Sequence, residues 1–141
     1  MTKVREMGSY KLTELLGMGG MGEVWRAEHR MLARPAAIKL VRSEICGRSD
    51  EQTATLHRRF EREVQATTAL RSPHTVAVYD YGTAEDGCFY YVMELLNGFD
   101  LETLIQRFGP QPPERVLSFL LQACDSLAEA HSAGLIHRDI K

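Results

Sequence analysis

The stretch Gly17-Met18-Gly19-Gly20-Met21-Gly22-Glu23-Val24-Trp25-Arg26-Ala27-Glu28 decides how this chain folds. Gly17, Gly19 and Gly22 fall in a G-x-G-x-x-G spacing that two unrelated folds share. In one the glycine turn opens a helix beneath a dinucleotide; in the other it joins two strands and closes over phosphates. The residues after the glycines separate the two. Val24, Trp25 and Ala27 continue as a strand, and Tyr10 to Leu16 reads as a strand before them, so the setting is strand-turn-strand. Glycine there lets backbone amides approach a ligand with no Cβ in the way. Without partners elsewhere, the same stretch reads as an ordinary glycine hairpin.

Working outward, the first hundred residues divide into further short strands: Glu23 to His29, Ala36 to Val41, Thr75 to Tyr81 and Phe89 to Glu94, each bounded by turn residues. One helical pattern interrupts them. From Glu51 to Leu70, the residues Leu56, Phe60, Val64 and Leu70 recur at helical spacing, with Arg58, Glu61, Arg62 and Gln65 opposite. Helical phase puts Glu63 on the apolar side, a costly place for an unpaired carboxylate. After Asn97-Gly98 the pattern turns helical. Asp100 reads as the N-cap of a helix from Leu101 to Arg107, ended by Gly109-Pro110. Pro113 opens a longer helix that runs to Gly134, apolar on more than one face because Phe119, Leu120 and Leu121 are consecutive.

Composition narrows the function classes. The chain has 141 residues, 44% of them hydrophobic, enough for a packed core. Seventeen Lys and Arg against nineteen Asp and Glu give a net charge of −2, with no basic field to draw a nucleic-acid backbone. The N-terminus lacks an apolar signal region and no stretch is long enough to span a bilayer, which reads as cytoplasmic. Cys46, Cys88 and Cys124 are odd in number and form no Cys-x-x-Cys, so three reduced thiols are expected, with Cys124 in the core.

Two charged positions explain each other. Strand alternation sets Ala37, Lys39 and Val41 on one face and Ile38 and Leu40 on the other, leaving a cation inside an apolar strand. Pairing Lys39 with Glu63 removes both anomalies, whereas Glu61 faces solvent by helix phase. The chain then closes on His137-Arg138-Asp139-Ile140-Lys141. His137 or Asp139 alone would be an unremarkable polar residue; the run as a whole, delivered by a helix and a Gly134 turn, is a specific signal.

With the glycine loop, Ala37-Ile38-Lys39 and His-Arg-Asp-x-Lys in this order, the chain resembles the eukaryotic-like serine/threonine protein kinases of bacteria. The likeness runs from Tyr10 to Lys141. Arg59-Phe60-Glu61-Arg62-Glu63 and Leu70-Arg71-Ser72-Pro73-His74 look like the family's C-helix and the turn after it; Val78-Tyr79-Asp80-Tyr81-Gly82 and Tyr91-Val92-Met93-Glu94 look like its later strands.

The resemblance implies an α+β protein-kinase-like fold. It comprises a tail over 1–9, a nucleotide-binding N-lobe over 10–97 with a five-stranded antiparallel sheet and C-helix, and the first helices of a C-lobe over 98–141. It implies ATP and Mg2+ as cofactors and a protein bearing Ser or Thr as substrate. Leu16, Gly17, Met18, Gly19, Gly20, Met21 and Gly22 would cover the phosphates, and Val24 and Ala37 would roof the base. Met93 would be the gatekeeper, Glu94 and Leu96 the hinge, and Lys39, held by Glu63, would meet the α- and β-phosphates. Asp139 would receive the substrate hydroxyl proton, with Lys141 offsetting charge on the transferred group. Arg138 would be placed to receive a phosphate added to an activation loop. The metal-holding asparagine and the Asp-Phe-Gly aspartate are expected beyond Lys141, so no metal ligand is expected within the chain and the 141 residues alone are expected to be inactive. The relatives' habit of a later membrane anchor leaves anchoring of a longer parent open. A kinase-derived module that binds nucleotide or a partner without transferring phosphate is the competing reading. An oxidoreductase is disfavoured by the strand after the glycine loop.

Overall fold

The computed structural model describes residues 5–19, 22–41, 51–138 and 140, and within 51–68 it describes the backbone but not the side chains of 51–53, 56, 57, 59, 60 and 63. The element order is β1 (Glu6–Met7), β2 (Tyr10–Gly19), β3 (Gly22–His29), β4 (Pro35–Val41), α1 (Glu51–Thr68), β5 (Val78–Thr83), β6 (Phe89–Met93), α2 (Leu101–Phe108) and α3 (Pro113–Ser132). The strands form one antiparallel sheet in the order β1-β2-β3-β4-β6-β5.

The sheet has six strands rather than the five expected, because Glu6 and Met7 pair with Lys11 and Tyr10. Two residues are too few to show an alternating pattern, but Met7 is buried there and closes one end of the core. Leu12, Ala27, Ala36, Ile38, Leu40, Tyr90 and Val92 join it, with Tyr10, Trp25 and Ala84 packed around them. The alternation read in Ala36 to Val41 holds: Ile38 is fully buried while Lys39, beside it, is half-buried. Burying a side chain the size of Ile38 or Val92 contributes about 1.5–3 kcal/mol.

Register explains how the core closes. Leu40 pairs with Tyr90, which pairs with Gly82. A Cβ on Gly82 would lie 2.7 Å from the Tyr90 hydroxyl, and one on Gly8 would lie 2.8 Å from it. One tyrosine therefore ties the β1–β2 turn to the far edge strand and curls the sheet around its own apolar face. Two register shifts in the β2–β3 ladder, between Leu12 and Glu14 and between Leu15 and Gly17, add local twist as the hairpin approaches the glycine turn.

The helices begin and end as their sequence signals direct. Asp100 accepts the Thr103 backbone N–H at 2.7 Å, and Gly109, at φ 75°, donates to the Ile105 carbonyl at 2.8 Å to close α2. Pro113 opens α3, and Gly134, at φ 78°, follows its end. The strand expected from Thr75 starts only at Val78, because Thr75 is engaged elsewhere: its hydroxyl lies 2.6 Å from that of Ser126 on α3.

One expectation about cysteine is corrected. Cys124 is free and exposed on α3 rather than in the core. Spacing along the chain did not carry this, since it depends on which surfaces meet in space. Cys46 lies outside the described residues.

Candidate active site

The face of the sheet opposite the apolar core carries five of the residues singled out from sequence: Gly17, Val24, Ala37, Lys39 and Met93. Gly17 pairs with Val24, Val24 with Lys39, Lys39 with Tyr91, and Tyr91 with Tyr81. Directly opposed residues on antiparallel strands project from the same face. Five strands thus contribute to one transverse row, from the edge of the glycine turn to β5. A second row runs Arg26, Ala37, Met93 and Val78 beside it. Val24, Ala37, Lys39 and Met93 therefore share a surface, as a base roof, a phosphate-binding cation and a gatekeeper would.

The glycine turn ends β2 and begins β3, with Gly19 opposite Gly22. Gly22 takes φ 130°, a conformation that L side chains rarely adopt. Nothing lies within 4 Å of a Cβ built on Gly17 or Gly19, so these two border open space rather than a neighbouring strand. Met18 between them is 65% exposed, and Leu16 is exposed at the register shift just before Gly17. That open edge above the Lys39 row fits a phosphate chain. Gly20 and Met21 lie outside the described residues.

At the other end of the second row, the Glu94 backbone N–H donates to the Ala77 carbonyl at 2.9 Å, and the Glu94 carboxylate accepts the Ala77 N–H at 3.2 Å. This pair extends the β5–β6 ladder one step past Met93 and fixes the start of the connection to α2. Leu96 follows it with an exposed side chain. The exposed pair Arg26–Glu14 at 3.0 Å joins β3 to β2 and is worth at most about 1 kcal/mol, and Arg5, just before β1, meets the half-buried Glu23 of β3 at 3.3 Å.

Helix α1 meets the sheet at β5, where Gln65 Nε2 donates to the Tyr81 hydroxyl at 3.2 Å. Glu63 lies on this helix two residues earlier, and its side chain is outside the described set. Asp139 and Lys141 are outside it as well. Their neighbours His137 and Arg138 line a cavity of about 530 Å3 with Thr67 in the last turn of α1, Leu70 just after it, and Ser126, Leu127 and Ala130 of α3. Arg138 has φ 62°, a backbone conformation that costs a non-glycine residue about 1–2 kcal/mol and concentrates at functional loops. The terminal signature and the end of α1 thus border the same space. Among the described residues, no group of three His, Cys, Asp or Glu could hold a metal ion, and no helix is long and apolar enough to cross a membrane.

Sequence reasoning missed Tyr91 and Tyr81 as members of the Lys39 row. The signal was available for Tyr91: it stands two residues before Met93, hence on the same strand face. Also missed were the hydrogen bonds that tie the turn after α1 to α3, Arg71 and Ser72 N–H to Glu129 and Thr75 to Ser126, which follow no sequence motif.

Similarity to known proteins identifies the family and the fold. The protein kinase domain family matches residues 10–141. The chain is 38% identical over 134 residues to serine/threonine-protein kinase PknH of Mycobacterium bovis, covering 95% of this chain and 22% of that protein. It is 39% identical over 132 residues to serine/threonine-protein kinase pkn3 of Myxococcus xanthus, covering 94% and 23%. Among solved structures, the PknI kinase domain of M. tuberculosis superposes with a TM-score of 0.81 and 28% identity, over 100% of this chain and 55% of that one. The chain spans about a fifth of the length of these curated relatives and just over half of that solved domain. The chain belongs to the protein kinase domain family, and its relatives place it among the serine/threonine protein kinases.

Proposed function

We propose that this chain supplies the nucleotide-binding half of an ATP-dependent kinase that phosphorylates serine or threonine hydroxyls of proteins. The observation that carries the reading is the shared face of Val24, Ala37, Lys39 and Met93, bordered by the open glycine edge. In this reading the apolar members hold the base, the Glu94–Leu96 segment meets its polar edge, and the glycine-turn amides and the Lys39 ammonium hold the phosphates. Glu63 fixes Lys39 from α1. ATP supplies the phosphoryl group. Asp139 orients the substrate hydroxyl and receives its proton as the oxygen attacks the γ-phosphorus, ADP departs, and Lys141 offsets the charge on the group in transit.

For the 141 residues on their own, we infer nucleotide binding without turnover, since the family pattern puts both metal-holding positions after Lys141. Titration with a fluorescent ATP analogue tests the binding half. Saturable binding is expected, weakened at least tenfold by Lys39→Met; equal affinity in the two proteins would remove Lys39 from the site. For the turnover half, incubation with ATP and a generic basic protein should give no incorporation. Phosphorylation that disappears with Lys39→Met would overturn it.

A further inference from the structure

The Lys39 row contains a group that the nucleotide reading does not use. Tyr91 is the residue directly opposite Lys39 across the β4–β6 ladder, and the Lys39 Nζ stands over its ring at 5.9 Å from the centroid. That is within the range at which an ammonium is attracted by the negative face of an aromatic ring. The residue opposite Lys39 on its other side is Val24, which offers no such attraction, and the one beyond it is a glycine, Gly17. Tyr91 is itself backed by Tyr81 in the next strand, and Tyr81 is bonded to Gln65 of α1. The ring that faces Lys39 is thus held between the lysine strand and the strand on which α1 rests.

We propose that Tyr91 is a positioning residue for Lys39: its ring face holds the ammonium over the cleft face of the sheet before the nucleotide arrives. A lysine has a flexible four-carbon stem, and freezing it on a phosphate costs rotamer entropy. A ring that already confines the ammonium to the cleft removes part of that cost, and the gain appears as affinity for the phosphates. The contribution is through Lys39; Tyr91 itself is given no contact with the nucleotide. The role rests on the reading that Lys39 meets phosphate, and the experiment separates the two.

The structural half is read without nucleotide. In protein carrying 13Cε-labelled lysine, the Lys39 ε-methylene signal, assigned by its loss in Lys39→Arg, should lie upfield of that of exposed Lys11, because the ring current shields groups above the ring face. Tyr91→Phe should keep the displacement and Tyr91→Leu should abolish it while Lys11 stays unmoved. A wild-type Lys39 signal at the Lys11 position overturns the proposal with no variant needed, as does a displacement that survives Tyr91→Leu. The functional half is the affinity for the fluorescent ATP analogue. Tyr91→Leu should weaken it about two- to fivefold, Tyr91→Phe should restore it, and in a Lys39→Met background the same Tyr91→Leu change should have no effect. An equal effect of Tyr91→Leu with and without Lys39 would show a merely structural role and overturn the proposal. Absence of nucleotide binding by the wild-type chain, with the ring-current displacement intact, would instead count against the nucleotide reading and leave the ammonium on its ring.

Discussion

Glu129 on α3 grips the backbone of Ser72: its Oε2 accepts the Ser72 N–H at 2.7 Å while its Oε1 accepts the Arg71 N–H at the same distance. Ser72 answers with its hydroxyl, donated to Asp125 at 3.0 Å, and Thr75 meets Ser126 at 2.6 Å. Three neighbouring side chains of α3 thus clasp the turn that leads from α1 into β5, and these hydrogen bonds fasten the sheet side of the chain to α3. Bonds to a carboxylate are the stronger kind. Glu129→Ala should lower the stability of the chain by about 2 kcal/mol, and Glu129→Gln, which keeps one acceptor, by about half as much. Urea unfolding followed by far-ultraviolet circular dichroism reads both. A midpoint unchanged by Glu129→Ala would show that the clasp does not fasten the two parts.

Tyr90 predicts a second, steric effect. Gly82→Ala would bring a methyl to 2.7 Å from the Tyr90 hydroxyl and 2.8 Å from its Cζ, against a buried ring that cannot swing away, and should cost about 1–3 kcal/mol. At Gly8 the hydroxyl alone is close, with Cζ at 3.9 Å. Tyr90→Phe should therefore relieve the contact part of Gly8→Ala more completely than that of Gly82→Ala, although Gly8→Ala keeps the penalty of φ 55°. A double-mutant cycle by thermal denaturation measures the difference; equal relief at the two sites would contradict the geometry. Burial, with Asp80 adding to it, raises the Tyr90 phenol above its usual range. Its contribution to stability is complete below the unfolded pKa and is lost as the pH rises through the higher folded one, a loss that Tyr90→Phe should remove.

What the sequence made legible was whatever depends on neighbours along the chain. The faces of Ala36 to Val41, the Asp100 cap and the Pro113 and Gly134 ends of α3 each follow from local sterics or local hydrogen bonds, and the structure places them as read. The late start of β5 was hidden because the competitor for Thr75 is Ser126, fifty-one positions away. The pairing of Glu6 and Met7 was hidden because two residues carry no period. For the site, alternation alone put Lys39 beside Ala37, but only the register between β4 and β6 sets Tyr91 under it, and register is a property of pairing across strands.

Asp100 gives a pH prediction. Hydrogen bonds from the side chain and then the backbone N–H of Thr103 hold its carboxyl below the usual range. A depressed folded pKa means that the cap stabilises α2 above the unfolded pKa and is lost as the pH falls through the folded one. The amide resonance of Thr103 should report this, moving with a midpoint below that of an exposed aspartate and losing its titration in Asp100→Asn. A midpoint at the ordinary value would show that the cap bond is not maintained in solution.

The long helix makes the last prediction. The sequence pattern of α3 is apolar on more than one face, and no residue of it is buried: Leu117 and Leu120 are each 58% exposed and Leu121 62%. With Val116 on the same helix, and with Leu101, Ile105 and Phe108 of α2 also exposed, the two helices present a large apolar surface to water. Each such side chain left in water forgoes about 1.5–3 kcal/mol of burial, so the surface should seek cover wherever it can find it. The 141-residue chain should bind the dye ANS strongly and associate as its concentration rises. Replacing Leu120 and Leu121 with glutamine should reduce both without lowering helicity, because glutamine is as good a helix former and the two leucines support no core among the described residues. Sedimentation and dye fluorescence on the two proteins decide it: unchanged association in the double variant would move the sticky surface elsewhere, with the exposed pair Met31 and Leu32 at the β3–β4 turn the next to replace.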